Sequence, residues 1–118
     1  MEPHFKIITP VYNADDWIGK CISSVKQQTY SNYHQIIIDD SSTDNTFQVA
    51  RELVEGDDRF SLYTTQQRNG VPINQKRGVE LSNANLEDVI VHLDGDDWFY
   101  DETVLDKVAK LYDEKDCW

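Results

Sequence analysis

The stretch VIVHLDGDDW (Val89–Trp98) places three carboxylates directly after a short apolar run. Val89–Leu93 is typical of a buried β-strand. Carboxylates this close together repel one another unless a cation neutralises them, and hard oxygen ligands favour Mg²⁺, Mn²⁺ or Ca²⁺. Solvated loops and helix N-caps have the same composition, so this stretch alone leaves a metal site and an ordinary loop both open.

Two other strand-like runs also end in polar residues. Phe5–Thr9 leads into PVYN (Pro10–Asn13), and Gln35–Ile38 leads into DDSSTD (Asp39–Asp44). In an open parallel sheet, all strand ends of this kind emerge at one edge, and ligands bind there where the strand order reverses. We therefore expect the three polar segments to converge in space.

Strand and helix patterns alternate along the whole chain. Apolar residues at helical spacing follow each predicted strand, at residues 17–25, 47–54, 73–81 and 104–112, and Phe60–Thr64 is a further strand. This βαβαβαβα order predicts an α/β fold, with a mainly parallel four-stranded sheet and flanking helices. A length of 118 residues corresponds to one domain.

Composition excludes several classes of function. Eleven Lys and Arg stand against 22 Asp and Glu, a net charge of −11, which argues against nucleic-acid and anionic-membrane partners. No stretch approaches the ~18 apolar residues of a membrane span. Cys21 and Cys117 are interpreted as free thiols in a reducing compartment, so we expect a cytoplasmic protein without membrane contact. Glycine-rich G-x-G-x-x-G and Walker A motifs are absent.

Four segments, in their order and spacing, resemble the family 2 glycosyltransferases, whose Rossmann-like nucleotide-sugar-binding half has the GT-A fold. These segments are TPVYN (Thr9–Asn13), CISSVKQQTY (Cys21–Tyr30), DDSSTDNT (Asp39–Thr46) and LDGDDW (Leu93–Trp98). The resemblance implies a metal-dependent, inverting, hexosyltransferase-like enzyme that uses a UDP-sugar donor and an unknown acceptor. It also implies that residues 1–118 are the N-terminal donor-binding domain, truncated before the acceptor half and not competent alone.

The resemblance assigns the base-binding residues as well. Asp40 is expected to accept the imide N–H of uracil and Tyr12 to pack on the base, with Thr9, Pro10 and Val11 lining the slot through backbone groups. From the residues alone, two alternatives remain: Asp40 begins a turn and caps the next helix, and Tyr12 belongs to the core.

The acidic segment is expected to hold the ribose and a metal ion. The resemblance assigns Asp94 and Gly95 to the nucleotide, and Asp94 and Asp96 to Mn²⁺ or Mg²⁺ bridging the two phosphates. For Asp97, the alternatives are a cap of the final helix or a contact that holds the loop. Trp98 is interpreted as a packing residue rather than a sugar contact.

The segment NGVPINQKRG (Asn69–Gly78) departs from the family pattern. Asn74–Lys76 stands where the family usually has Ala-Arg-Asn, so the usual arginine contact is missing. We expect Asn69 to contact the nucleotide and Lys76 or Arg77 to supply positive charge, while a solvated helix face explains these two cations equally well. Ser41, where the family often has glycine, is expected to be tolerated.

Two other functions compete with the leading prediction. A catalytically inactive nucleotide-binding or interaction module of the same fold would explain the altered Asn74–Lys76 segment. A nucleotidyltransferase also combines a Rossmann-like sheet with acidic metal ligands, but the chain lacks a glycine-rich basic loop near its N-terminus.

Overall fold

The computed structural model describes residues 2–115, which form four strands and four helices in strict alternation. They are β1 Phe5–Val11, α1 Ile18–Lys26, β2 Tyr33–Asp39, α2 Thr46–Val54, β3 Phe60–Thr64, α3 Val71–Ser82, β4 Val89–His92 and α4 Val104–Lys115. The predicted α/β fold is confirmed. Cys117, the second predicted free thiol, lies outside the described residues, whereas Cys21 is free and buried.

The four strands form one parallel sheet in the order β3-β2-β1-β4. Phe5 of β1 is paired with Tyr33 of β2 on one side and with Val89 of β4 on the other. The chain therefore adds β2 and β3 on one side of β1 and then returns to the opposite side for β4. This reversal lies at β1, and it places the ligand crevice expected for such a sheet at the carboxyl ends of the central strands.

Helices cover both faces of the sheet, because the central strands are apolar on both sides. One face packs Phe5 and Ile7 against α1, α2 and α4, and the other packs Ile8 against α3. Gly78 allows α3 to approach closely, since a Cβ atom there would lie 2.4 Å from Cγ2 of Ile8. The position of α3 relative to the carboxyl end of β1 is therefore fixed by close packing.

The loops that follow β1 and β2 are joined by hydrogen bonds. Asn13, with a left-handed φ of 47°, accepts a hydrogen bond from the Thr43 backbone N–H at 2.8 Å. The Ala14 N–H donates to Oγ1 of Thr46, also at 2.8 Å. These contacts hold the loop between β2 and α2 against the residues that follow β1.

Asp39 and Ser41 shape the turn after β2. Asp39 is buried and accepts hydrogen bonds from the backbone N–H and the hydroxyl of Ser42, so it holds the loop in place. Ser41 has a φ of 59°, the left-handed region that glycine enters without strain. Its hydroxyl donates to the Thr65 carbonyl at 2.7 Å, an interaction that glycine lacks.

Within residues 2–115, no helix combines the length and the apolar character that a membrane crossing requires.

Candidate functional site

A cavity of about 360 Å³ opens at the carboxyl edge of the sheet. The ends of β1, β2 and β4 and the start of α3 form its walls. The predicted convergence of the three polar segments is therefore observed. The predicted site residues that line the cavity are Pro10, Val11, Tyr12, Asp40, Asp94, Gly95 and Asp96.

Three other predicted site residues do not line this cavity. Thr9 is fully buried in β1, where its Oγ1 accepts a hydrogen bond from Nε2 of Gln35 at 2.8 Å. Asn69 lies beside the cavity and contributes its backbone N–H to Asp40. Lys76 is exposed on α3, where a solvated helix face describes it better than a phosphate contact does.

Asp40 is buried and accepts four hydrogen bonds. The donors are the backbone N–H groups of Asn69 at 2.9 Å and Gly70 at 3.0 Å, Oγ1 of Thr65 at 3.1 Å and Nε of Arg68 at 3.0 Å. Burial alone would raise the pKa of Asp40, but the two backbone donors, the Asn74 amide and Arg68 hold it well below its usual range. Asp40 is therefore an ionised acceptor at the cavity wall.

The predicted alternative roles of Asp40 and Tyr12 do not match the structure. Helix α2 begins at Thr46, whose backbone N–H donates to Oδ1 of Asp44 at 2.9 Å rather than to Asp40. Tyr12 is 37% exposed at the cavity mouth, so it is not part of the core. The guanidinium of Arg68 stacks on the Tyr12 ring, with its central carbon 3.4 Å from the ring centroid.

Arg68 is a site residue that the sequence analysis missed. It contacts both groups that were assigned to the base, stacking on Tyr12 while donating to Asp40. The only signal in the sequence is a cation directly before the Asn69–Gly70 turn, which by itself indicates a solvated loop.

Carboxylate oxygens of Asp94, Asp96 and Asp97 lie within 4.8 Å of one another. Burial, followed by the charges of Asp97 and Asp96, raises the pKa of Asp94. Among residues 2–115, no lysine or arginine forms an ion pair with these three carboxylates. Oxygen donors so arranged fit a hard divalent ion.

Asp97 belongs to this acidic cluster rather than to the final helix. Helix α4 begins at Val104, and Asp101 is the residue that accepts hydrogen bonds from the N–H and hydroxyl of Thr103. The cap alternative for Asp97 is therefore wrong, and its backbone N–H closes the acidic turn on the Asp94 carbonyl at 2.9 Å.

Gly95 holds the acidic turn against the end of β1. Its N–H donates to the Pro10 carbonyl at 3.0 Å, and an added Cβ would lie 2.3 Å from Cγ2 of Val11. On the opposite side, the thiol of Cys21 donates to the Asp94 carbonyl at 3.7 Å. Burial raises the pKa of Cys21 to about 12, so this thiol stays protonated and acts as a donor.

Two tryptophans form an aromatic wall beside the acidic turn. Trp17, placed by its spacing on the buried face of α1, is instead 49% exposed at the cavity edge. It stacks on Trp98 with ring centroids 6.0 Å apart and an interplanar angle of 18°, and Nζ of Lys20 lies 3.8 Å from the Trp98 centroid. Trp98 therefore packs mainly on Trp17, as the packing interpretation predicted.

Asn74, on the first turns of α3, is another lining residue. Its side chain is 1% exposed, and neither Oδ1 nor Nδ2 has a hydrogen-bond partner among the described residues. The sequence singled out this position only as a departure from a family pattern.

Together, these groups have complementary chemistry for an anion that carries a planar ring. Tyr12 offers an aromatic face, and Asp40 offers a charged acceptor at one side of the cavity. The acidic cluster at the other side can hold a divalent ion, which in turn attracts phosphate oxygens.

Residues 6–117 match Glycosyl transferase family 2. Among curated proteins, glycosyltransferase GlyA of Streptococcus pneumoniae serotype 4 is 32% identical over 107 residues, which is 88% of this chain and 15% of GlyA. The UDP-Glc:alpha-D-GlcNAc-diphosphoundecaprenol beta-1,3-glucosyltransferase WfgD of Escherichia coli is 37% identical over 92 residues, 77% of this chain and 34% of WfgD.

Solved structures show the same fold. Staphylococcus aureus TarS 1–349 in complex with UDP superposes with a TM-score of 0.82 at 21% identity, covering 94% of this chain and 32% of TarS 1–349. The mannosyltransferase PcManGT of Pyrobaculum calidifontis, in complex with GDP-Man and Mn²⁺, gives a TM-score of 0.80 at 20% identity, covering 94% of this chain and 33% of PcManGT. The chain thus spans about a third of either structure.

Proposed function

Because the chain belongs to glycosyl transferase family 2, we propose that it is the donor-binding part of an enzyme that transfers a sugar from a nucleotide sugar to an acceptor. The observation that carries this proposal is the single cavity that joins Tyr12 and Asp40 to the acidic turn at Asp94–Asp96. A nucleoside diphosphate has a planar base at one end and two phosphates at the other, so it matches both sides of this cavity.

The proposed donor is a UDP-sugar. Asp40 accepts the imide N–H of uracil while Tyr12 stacks on the ring, and Pro10 and Val11 form the adjoining backbone wall. UDP in the TarS complex and UDP-Glc in the name of WfgD support this choice, whereas the GDP-Man complex of PcManGT makes guanine the competing base.

The proposed metal is Mn²⁺ or Mg²⁺, held by Asp94 and Asp96 with Asp97 as a third carboxylate within reach. The Mn²⁺ in the PcManGT complex supports this assignment. When bound, the ion supplies positive charge for the diphosphate leaving group. The chain's own contribution is to orient the carboxylates, since Gly95 and Val11 fix the acidic turn against β1.

We further propose that residues 1–118 form one domain of a longer catalytic unit and that transfer inverts the anomeric centre. The acceptor wall and the catalytic base would lie outside these residues, as the greater length of the relatives supports. A general base typically contributes ~10²–10⁴ in rate, so we expect no useful sugar transfer by this chain alone.

Calorimetric titration of the chain with UDP, with Mn²⁺ and then with EDTA, tests the donor site. We expect tight binding only with Mn²⁺, because the acidic cluster repels an unaccompanied diphosphate. Asp96→Asn should remove the dependence on Mn²⁺ while the chain stays folded. Asp58→Asn, an exposed carboxylate just before β3, is the matched control. Equal affinity for UDP in EDTA and in Mn²⁺ would exclude the metal bridge.

A nucleotide-binding module without turnover is the second candidate. The Asn74–Lys76 segment favours this candidate. The family's usual arginine is missing from it, and Lys76, which is exposed, does not line the cavity as a substitute. Both candidates bind UDP, and neither predicts transfer by residues 1–118 alone, so sugar transfer by the proposed longer catalytic unit is the measurement that separates them. Robust transfer by the isolated chain would exclude this second candidate and also the proposal that acceptor machinery lies elsewhere.

A further inference from the structure

The amide of Asn74 is the unsatisfied polar group of the donor cavity. The residue is 1% exposed, and both amide atoms are buried without a hydrogen-bond partner among residues 2–115. Burying a donor and an acceptor unpaired is unfavourable, and native proteins rarely leave such a pair. A buried, unpaired amide that lines a ligand cavity indicates a partner supplied by the ligand.

Local packing holds Asn74 in this place. Its backbone N–H continues the first turn of α3 by donating to the Gly70 carbonyl at 3.2 Å. Further along the helix, Gly78 packs against Ile8 with no room for a side chain. Ser82, another buried polar residue of α3, donates its hydroxyl to Val79 at 2.6 Å and is satisfied within the helix. Asn74 differs, because among residues 2–115 neither amide atom has a partner in hydrogen-bond geometry.

The neighbouring carboxylate determines which way the amide faces. Burial raises the pKa of Asp40, whereas the N–H groups of Asn69 and Gly70 and the amide of Asn74 lower it. An ionised carboxylate attracts the amide nitrogen and repels the amide oxygen. Nδ2 carries two hydrogens, so one can face Asp40 while the second faces the cavity.

We propose that Asn74 is a specificity-determining residue that reads the donor base together with Asp40, by donating from Nδ2 to the carbonyl beside the ring N–H that Asp40 accepts. This inference rests on the proposed function, and it extends that function by naming the edge of the base that is read. Uracil has a ring N–H flanked by carbonyls, and guanine also has a ring N–H beside a carbonyl. Cytosine has a bare ring nitrogen, and it carries an amino group in place of the 4-carbonyl of uracil while keeping the 2-carbonyl. The carbonyl proposed to accept from Asn74 is therefore the one at position 4 of uracil.

The Asp40–Asn74 pair therefore discriminates against cytosine twice. The bare ring nitrogen of cytosine would face the Asp40 carboxylate, and its amino group would face the Nδ2 donor. A base that leaves buried polar groups unpaired is bound much more weakly, and this discrimination is larger than the shape of a pocket alone provides.

Arg68 makes the two contacts that the base is proposed to make. Its Nε makes the donor contact to Asp40 that the ring N–H of a base would make, and its guanidinium covers the Tyr12 ring. A base that stacks on Tyr12 displaces Arg68 from Asp40. The base edge then takes its place beside Asn74.

Calorimetric titration with UDP and with CDP, both in Mn²⁺, tests the inference on wild type, Asn74→Ala and the control Gln75→Ala. Gln75 is the neighbour on α3 that does not line the cavity. We expect Asn74→Ala to weaken UDP binding by roughly threefold to tenfold, the range for one lost hydrogen bond, and to lower the UDP-to-CDP affinity ratio. Gln75→Ala should change neither quantity.

The UDP-to-CDP affinity ratio separates this specificity role from a structural one. The Asn74 amide helps to hold the pKa of Asp40 down, so Asn74→Ala is expected to lower the melting temperature slightly, but a purely structural role would weaken UDP and CDP binding alike. Asn74→Leu, which keeps the side-chain volume, should show the same loss of discrimination. An unchanged UDP-to-CDP affinity ratio in both variants would overturn the inference about Asn74. The proposed function would still stand in that case, provided that the wild type binds UDP. If the wild type binds neither nucleotide, the proposed function itself fails.

Discussion

The guanidinium carbon of Arg68 lies 3.4 Å from the centroid of the Tyr12 ring, so a planar cation covers the aromatic face on which a base would stack. The same side chain donates to Asp40 at 3.0 Å. Arg68 thereby makes both contacts, stacking and donation to the carboxylate, that the donor base is expected to make. On the proposed function, nucleotide binding is linked to the departure of this side chain.

Arg68→Ala should bind UDP severalfold more tightly than the wild type, because the base no longer competes with a guanidinium for Tyr12 and Asp40. Calorimetry in Mn²⁺ measures this change. Uridine lacks phosphates. Titration with uridine therefore measures the loss of competition at Tyr12 and Asp40 without the lost attraction between the guanidinium and the phosphates. Arg51→Ala, an exposed arginine of α2, is the control. Weaker binding of uridine by Arg68→Ala would mean that the guanidinium contacts the base instead of competing with it.

Asp94→Asn should stabilise the chain in EDTA and abolish its response to Mn²⁺. Burial and the charges of Asp97 and Asp96 raise the pKa of Asp94 in the folded state. The folded chain therefore holds this proton more tightly than the unfolded chain, and stability is lost as pH rises through the folded-state pKa. At neutral pH, ionised Asp94 opposes folding until a cation binds.

Thermal unfolding with EDTA or with Mn²⁺ alone checks this prediction. The wild type should melt at a higher temperature with Mn²⁺, since an ion that binds only the folded state stabilises it. Asp94→Asn should melt higher than the wild type in EDTA and show no shift with Mn²⁺. The exposed Asp58→Asn should follow the wild type in both conditions. A full Mn²⁺ shift in Asp94→Asn would remove Asp94 from the ligand set.

Gly95→Ala should displace the acidic turn from β1. The added Cβ would lie 2.3 Å from Cγ2 and 3.3 Å from the backbone Cα of Val11, so a rotamer change of Val11 alone does not clear the contact. We expect a loss of about 1–3 kcal/mol in the free energy of unfolding, typical of an overpacked site. Mn²⁺-dependent UDP binding should also weaken, because Asp94 and Asp96 flank the displaced residue.

Urea unfolding measures the stability change, and Gly19→Ala supplies the control. A Cβ at Gly19 on α1 would lie 3.8 Å from Cδ1 of Leu53, an ordinary contact, and alanine is favoured over glycine in helices by about 1 kcal/mol. Gly19→Ala should therefore leave stability unchanged or raise it. Equal stability of Gly95→Ala and the wild type would show that the turn has room to move.

The sequence predicted the fold because apolar periodicity and the order of elements determine it locally. Alternating strands and helices require a parallel sheet, and the carboxyl ends of its strands then meet at one edge. Asp40 and Asp94 were placed correctly at this edge, since Asp40 directly follows β2 and Asp94 lies two residues after the end of β4.

Side-chain partners depend on tertiary distances, so the sequence did not reveal them. Arg68 and Asp40 are separated by 28 positions, and nothing in the local pattern shows that they touch. Trp17 fits the apolar spacing of α1, but the helix begins only at Ile18 and leaves the indole at the cavity edge. Lys76 carries the expected charge, yet the turn of α3 directs it to solvent while Asn74 lines the cavity.

Asp40 should make the stability of the chain depend on pH in the acid range. Although burial opposes its ionisation, the N–H groups of Asn69 and Gly70 and the Arg68 side chain hold its folded-state pKa well below the unfolded value of about 3.9. The contribution to stability is therefore complete above about pH 4 and is lost as pH falls through the folded-state pKa. Urea unfolding of wild type and Asp40→Asn between about pH 6 and pH 2 measures it.

Asp40→Asn should be less stable than the wild type at neutral pH, and the difference should shrink as the pH falls below about 4. Arg68→Ala is the comparison that identifies the cause. The two backbone N–H groups hold the pKa of Asp40 down more than Arg68 does, so Arg68→Ala should keep most of the acid dependence. If Arg68→Ala instead removes the acid dependence, then the ion pair with Arg68, rather than the Asn69–Gly70 turn, keeps Asp40 ionised. A base that displaced Arg68 would in that case leave the cavity without a charged acceptor.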